Sequence, residues 1–202
     1  QILHVLDHSI PLHSGYTFRS RAILEQQQAL GWETVHLTSP KHTQAAGWKG
    51  EREVVDGLEF HRTPVPVGWA SRVPALNQWM LIAATEGRLM DLAREMRPDV
   101  IHAHSPALNG EAALRVGRRL GIPVVYEVRA FWEDAAVDHG TAREGGVRYR
   151  LTRALETRVL RGADAVTVIC NGLRREIVSR GIRAGKITVI PNAVDIERFS
   201  MG

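Results

Sequence analysis

At 202 residues the chain has room for one well-buried α/β domain and none for a second of equal size. Apolar residues at 44% and charged residues at 24% exclude disorder, collagen-like repeats and a disulfide scaffold, and the single cysteine, Cys170, leaves a reducing cytoplasm as the expected compartment. The net charge of +4 and pI near 9.7 come mostly from arginines between 143 and 183; this suits either a solvated basic face or an anionic surface, and without a finger, helix-turn-helix or RNA-recognition signature no nucleic-acid partner is expected.

Short β-branched runs alternate with stretches of helical spacing, the sequence form of a parallel sheet flanked by helices. A strand at 2–6 leads through a loop at 8–17 into a helix at 17–30, stopped by Gly31. After a strand at 34–38, the stretch 39–56 holds Pro40, Gly47 and Gly50 with little periodicity and is expected to be an exposed loop or flap. A strand at 58–62, a helix at 75–96, a strand at 100–103 and a helix at 108–120, stopped by Gly121, come next. The chain closes with a strand at 124–128, a helix at 147–160, a strand at 165–169, a helix at 173–180 and a strand at 188–190. The expected fold class is therefore α/β, a Rossmann-like domain with a mainly parallel sheet. No run approaches the roughly 20 apolar residues of a membrane span, and the first strand lacks the basic start and cleavage site of a signal peptide.

Right-handed crossovers place the strand-to-helix loops at one edge of such a sheet, where open α/β folds bind ligands. Gly15 in the first loop lets backbone approach a ligand and precedes free amides that favour an anion; a tight turn is the other reading, and neither GxGxxG nor a P-loop is present. His102 and His104 share one side of a strand. His104, at its end, projects toward the crevice, whereas His102 lies deeper as a hydrogen-bonded core residue. Zinc on these histidines, with His4, His8 or His13, is a sharper alternative, but no carboxylate or thiolate at familiar spacing completes the set, so no metal is expected. Glu127 and Arg129 share a face and either pair or address a polar ligand. Phe131 and Trp132 offer flat surfaces for sugar rings or for ordinary packing. In the arginine-rich helix, Leu151, Leu155 and Val159 are expected to face the core while the arginines face out, over water or over anionic lipid. Cys170 reads as an inert structural thiol.

The ordered series ILHVL (2–6), SGYT (14–17), LGWETVHLT (30–38), DVIHAH (99–104), GIPVVYE (121–127), ADAVTV (163–168) and KITVIPNAVD (186–195), followed by Phe199, resembles the amino-terminal domain of glycosyltransferase family four, a GT-B family. The opening segment at 4–18 looks most like transferases of bacterial exopolysaccharide and PEP-CTERM/exosortase clusters. The resemblance implies a retaining, hexosyltransferase-type transfer from a nucleotide diphosphate sugar to a glycan or lipid-linked glycan, without a protein nucleophile, cofactor or metal. It implies residues 1–190 as the acceptor-side domain and 191–202 as the start of an interdomain linker, with a donor domain to follow and negligible activity without it. Gly15 matches the family glycine beside the donor diphosphate, although Ser14 stands where many members have a second glycine. His104 matches the histidine that contacts the transferred sugar at the reaction centre; Tyr16, Thr17, Glu127, Arg129 and Trp132 would border the acceptor cleft. The implied location is cytoplasmic, peripheral on the inner face of the plasma membrane where the basic helix meets lipid. The alternatives are half of a nucleotide-sugar 2-epimerase and a non-enzymatic glycan- or lipid-binding module.

Overall fold

The structure, a computed structural model, describes residues 1–47, 50–68, 73–134, 140 and 143–193. Its strands are β1 (Ile2–Leu6), β2 (Thr34–Thr38), β3 (Arg52–Val55), β4 (Leu58–Arg62), β5 (Val100–His104), β6 (Val124–Val128), β7 (Ala165–Val168) and β8 (Ile187–Val189). The helices are α1 (Gly15–Ala29), α2 (Pro40–Ala46), α3 (Pro74–Met96), α4 (Ala107–Leu120), α5 (Val147–Gly162) and α6 (Asn171–Ser179). One eight-stranded sheet runs in the order β3-β4-β2-β1-β5-β6-β7-β8, parallel except for the antiparallel β3/β4 pair at its edge.

The order reverses direction at β1, whose neighbours are β2 on one side and β5 on the other. Such a switch point opens a crevice at the carboxyl ends of the strands. On the central strands β1, β5 and β6 the buried Leu3, Val5, Ile101, Ala103, Tyr126 and Val128 share one face of the sheet by register, while the opposite face carries His4, His102, His104 and Glu127. Each buried aliphatic side chain stabilises the fold by roughly 1.5–3 kcal/mol.

Two expectations fail here. Within the stretch 39–56, residues 40–46 and 52–55 form a helix and a strand; Ser39 caps α2 by accepting from the Lys41 amide at 3.2 Å and Pro40 begins the helix. Asp56 and Gly57, with φ of 50° and 80°, then make the two-residue turn that folds β3 onto β4. Asp-Gly is the hairpin signal for such a turn, and it is present in the sequence. Leu151 does not face the core: it is 66% exposed, and the buried stripe of α5 is Glu156, Val159 and Leu160. Cys170 is exposed at the start of α6. The connector residues Val194, Asp195 and Phe199 lie outside the described residues.

Candidate functional site

The site assembles where β1, β5 and β6 end. Ser14 caps α1, its Oγ accepting from the Thr17 amide at 3.1 Å. Thr17 is buried with its hydroxyl 3.1 Å from the same Oγ, so its side chain secures the cap and faces inward. Gly15 begins the helix exposed, and a Cβ there would meet nothing within 4 Å. Neither packing nor backbone angle demands a glycine at this position.

Arg129, just past β6, centres the buried part. Its Nε donates to Glu127 Oε1 at 2.7 Å, Nη1 to the Tyr16 carbonyl at 2.6 Å and to Ser20 Oγ at 2.9 Å, and Nη2 to His104 Nδ1 at 2.6 Å. The guanidinium also stacks 4.1 Å over the Tyr16 ring, whose hydroxyl meets Ser105 Oγ at 3.2 Å. Glu127 and Arg129 thus pair with each other. Burial alone would raise the Glu127 carboxyl, but the adjacent His102 and the Arg129 guanidinium hold it far below the usual carboxylate range.

His104 is 0% exposed. Because a guanidinium can only donate, its contact fixes Nδ1 of His104 as an acceptor and leaves the hydrogen on Nε2. That hydrogen points to His4 Nδ1 at 3.1 Å, so His4 in turn carries its hydrogen on Nε2, donated to Gln27 Oε1 at 2.8 Å. Glu127 Oε1, 3.7 Å from His104 Nδ1, therefore receives no hydrogen from it. Burial, then the neighbouring His102 and Arg129, pushes His104 down to about 3; burial and the adjacent imidazoles likewise hold His4 well below its usual value. One directed chain of neutral imidazoles results.

His4, His102 and His104 bring one nitrogen each within 4.8 Å of the others. They do not suit a cation as they stand: Arg129 donates to His104 Nδ1 and leaves the hydrogen on Nε2, so neither ring nitrogen of His104 has a free lone pair to give. His102 lacks the hydrogen bond expected of it. Its Nε2 is buried and unpartnered, 3.6 Å from Glu127 Oε2.

Apart from Phe131 and Trp132, the rest of the crevice comes from residues the sequence did not single out. Buried Asp7 at the end of β1 accepts His8 at 2.9 Å and Lys41 at 3.4 Å; these contacts override burial and lower its carboxyl. Arg62, fully buried on β4, ties down the first loop by donating to Ser9 Oγ at 2.6 Å and to the Ile10 carbonyl at 3.0 Å while pairing with Glu53. Trp132 is 36% exposed with Lys41 5.6 Å from its ring centre, whereas Phe131 is buried under Arg180 and serves packing. Behind Phe131, Glu133 and Glu156 are fully buried beside Arg180, and Tyr126 donates to Glu156 at 2.8 Å. Arg19 links Glu127 to residues 190–192. Asp7 and Lys41 were legible as charges in strand-to-helix loops; Arg62 and Arg19 act across the fold and left no local signal.

Residues 14–193 match the glycosyl transferase 4-like domain. The chain belongs to this family. A GDP-mannose-dependent alpha-mannosyltransferase of Mycobacterium tuberculosis is 28% identical over 201 residues, 97% of this chain and 48% of the relative. The chain thus spans about half the length of that curated glycosyl transferase. Among solved structures, Anabaena HepE in complex with UDP and glucose matches 97% of this chain and 45% of its own, with a TM-score of 0.61 at 14% identity. A piece of sucrose-phosphate synthase from Thermosynechococcus elongatus matches over 98% of this chain and 92% of its own, with a TM-score of 0.62 at 14% identity. These likenesses establish the Rossmann-like fold as that of half a GT-B structure.

Proposed function

We propose that this domain is the acceptor-side wall of a retaining glycosyltransferase that moves a hexosyl group from a nucleotide diphosphate sugar to a glycan or lipid-linked glycan in bacterial surface polysaccharide synthesis. Residues 1–190 form that wall and 191–202 begin the connection to a donor-binding domain, without which transfer does not proceed. The observation that carries the reading is the family match over 14–193 combined with the glycine at position 15, which the fold itself does not require. An exposed helix start without a Cβ is a place for a diphosphate to approach the backbone.

Tyr16, Glu127, Arg129 and Trp132 border the acceptor side of this crevice, with Thr17 fixing the helix start beneath it. In this reading His104 acts on the transferred sugar through Arg129, whose Nη2 it receives, because the imidazole itself is enclosed. The mannosyltransferase relative makes GDP-mannose the first donor to test. The full-length protein should transfer a hexose from GDP-mannose or a UDP-sugar to a polyprenyl-linked or oligosaccharide acceptor with retained configuration. Absence of transfer across such a panel would reject the reading. Gly15→Ala should fold with an unchanged midpoint and raise the donor KM several-fold; an unchanged KM would remove Gly15 from the donor site.

A further inference from the structure

Arg19 stands one turn after Tyr16 on α1 with its side chain only 11% exposed. One edge of its guanidinium faces the site, where Nε donates to Glu127 Oε1 at 3.0 Å. The other edge grips the chain that leaves β8: Nη1 donates to the Pro191 carbonyl at 3.1 Å and to Asn192 Oδ1 at 3.0 Å, and Nη2 to the Ile190 carbonyl at 2.9 Å. The Ile190 amide still donates to the Val168 carbonyl at 2.8 Å, so the grip falls where the chain parts from the sheet.

We propose that Arg19 is a positioning residue that couples the path of residues 190–192 to the Glu127, Arg129 and His104 network. The proposal rests on the reading of 191–202 as the start of an interdomain connection. Glu127 Oε1 accepts two guanidinium groups, Arg19 through Nε and Arg129 through Nε at 2.7 Å. A shift of the connector that withdraws Arg19 leaves that oxygen to Arg129 alone, and Arg129 carries the change to His104 Nδ1 and to the Tyr16 backbone. Only a planar fork can hold a carboxylate on one edge and three chain acceptors on the other; a lysine ammonium is a single point that cannot span them.

The test uses the full-length protein and two readouts. In hydrogen exchange, Arg19→Lys and Arg19→Ala should each speed exchange across 188–193 on the order of tenfold, as expected for loss of charge-assisted hydrogen bonds. Glu127→Gln should also loosen this segment, since its carboxylate anchors the guanidinium that holds the connector. In kinetics, Asn192→Ala and Glu127→Gln should be non-additive in kcat while Arg19 is present and additive in the Arg19→Ala background. Unchanged exchange in both Arg19 variants overturns the coupling, as does additivity with Arg19 in place. Should the protein transfer no sugar, the reading of function fails, while exchange in Arg19→Lys still decides whether the tie exists.

Discussion

Arg129 makes four side-chain hydrogen bonds to four different partners, and the direction of each follows from the fact that it can only donate. The neutral state of His104 is a consequence, with a sign that can be worked out. Its folded pKa, about 3, lies below the ordinary 6.5, so between those values the unfolded chain binds the extra proton and stability falls as pH drops. The thermal midpoint should therefore decline as pH falls from about 6.5 toward 3, and His104→Asn, which keeps an acceptor for Arg129 and removes the titrating ring, should flatten part of that slope. A scan of melting temperature against pH for both proteins checks it, and identical slopes would deny the buried imidazole its share. If the full-length protein transfers sugar as proposed, the same variant should lower kcat far more than it changes donor KM; an unchanged kcat would exclude His104 from the chemistry.

Glu156, on the buried face of α5, titrates in the opposite sense. Burial, reinforced by nearby Glu133 and opposed by the hydrogen bond from Tyr126, pushes its carboxyl up to about 8. The folded state then holds a proton that the unfolded state has released, so stability is lost as pH rises from the ordinary carboxylate range through 8. Glu156→Gln keeps an oxygen for the Tyr126 hydroxyl and has nothing to ionise. Its melting temperature should match the parent near pH 4 and exceed it by a margin that grows up to about pH 8; a variant that melts lower throughout would show that the carboxyl is needed as such. Packing of α4 sets a second limit, since a Cβ on Gly110 would overlap Val159 and come within 2.9 Å of Tyr126 Cε2. Gly110→Ala should destabilise the protein by about 1–3 kcal/mol in a denaturant titration, the overpacking cost outweighing the gain of up to about 1 kcal/mol in helix propensity.

These elements also show how far the sequence could be read. The seven recognised strands and five long helices announced themselves through period and β-branching, and the histidine, glutamate and arginine at the ends of β5 and β6 through alternation. β3 was hidden because its exposed edge carries no apolar run, and α2 because seven residues between a leading proline and a capping Gly47 offer no period. Leu151 misled for a related reason: Leu151, Leu155 and Val159 match a four-residue spacing, yet the 3.6-residue turn rotates the first of them away from the stripe that Glu156 and Leu160 share with Val159. Local pattern likewise cannot show that one guanidinium joins residues more than 170 positions apart.

At the scale of the whole molecule, the rotation of Leu151 to the outside changes what the basic surface presents. Val147 and Leu151, one turn apart on α5, are 76% and 66% exposed beside the exposed Arg148 and Arg150. No helix among the described residues is long and apolar enough to cross a membrane. A helix with arginines beside exposed apolar residues has the two features that bind a headgroup region, charge that attracts and apolar side chains that bury, and vesicle binding is the test of whether α5 does so. A surface that was only solvated would need the arginines but gain nothing from Val147 and Leu151. Binding to vesicles containing anionic phospholipid should therefore have two separable parts. Raising salt or introducing Arg150→Gln should weaken it in proportion to screened charge, while Leu151→Ser should weaken it at every salt concentration and leave the salt slope unchanged. Cosedimentation with anionic and zwitterionic vesicles measures both parts. Equal recovery with the two lipids, or a Leu151→Ser variant that binds like the parent, would mean that α5 meets only water.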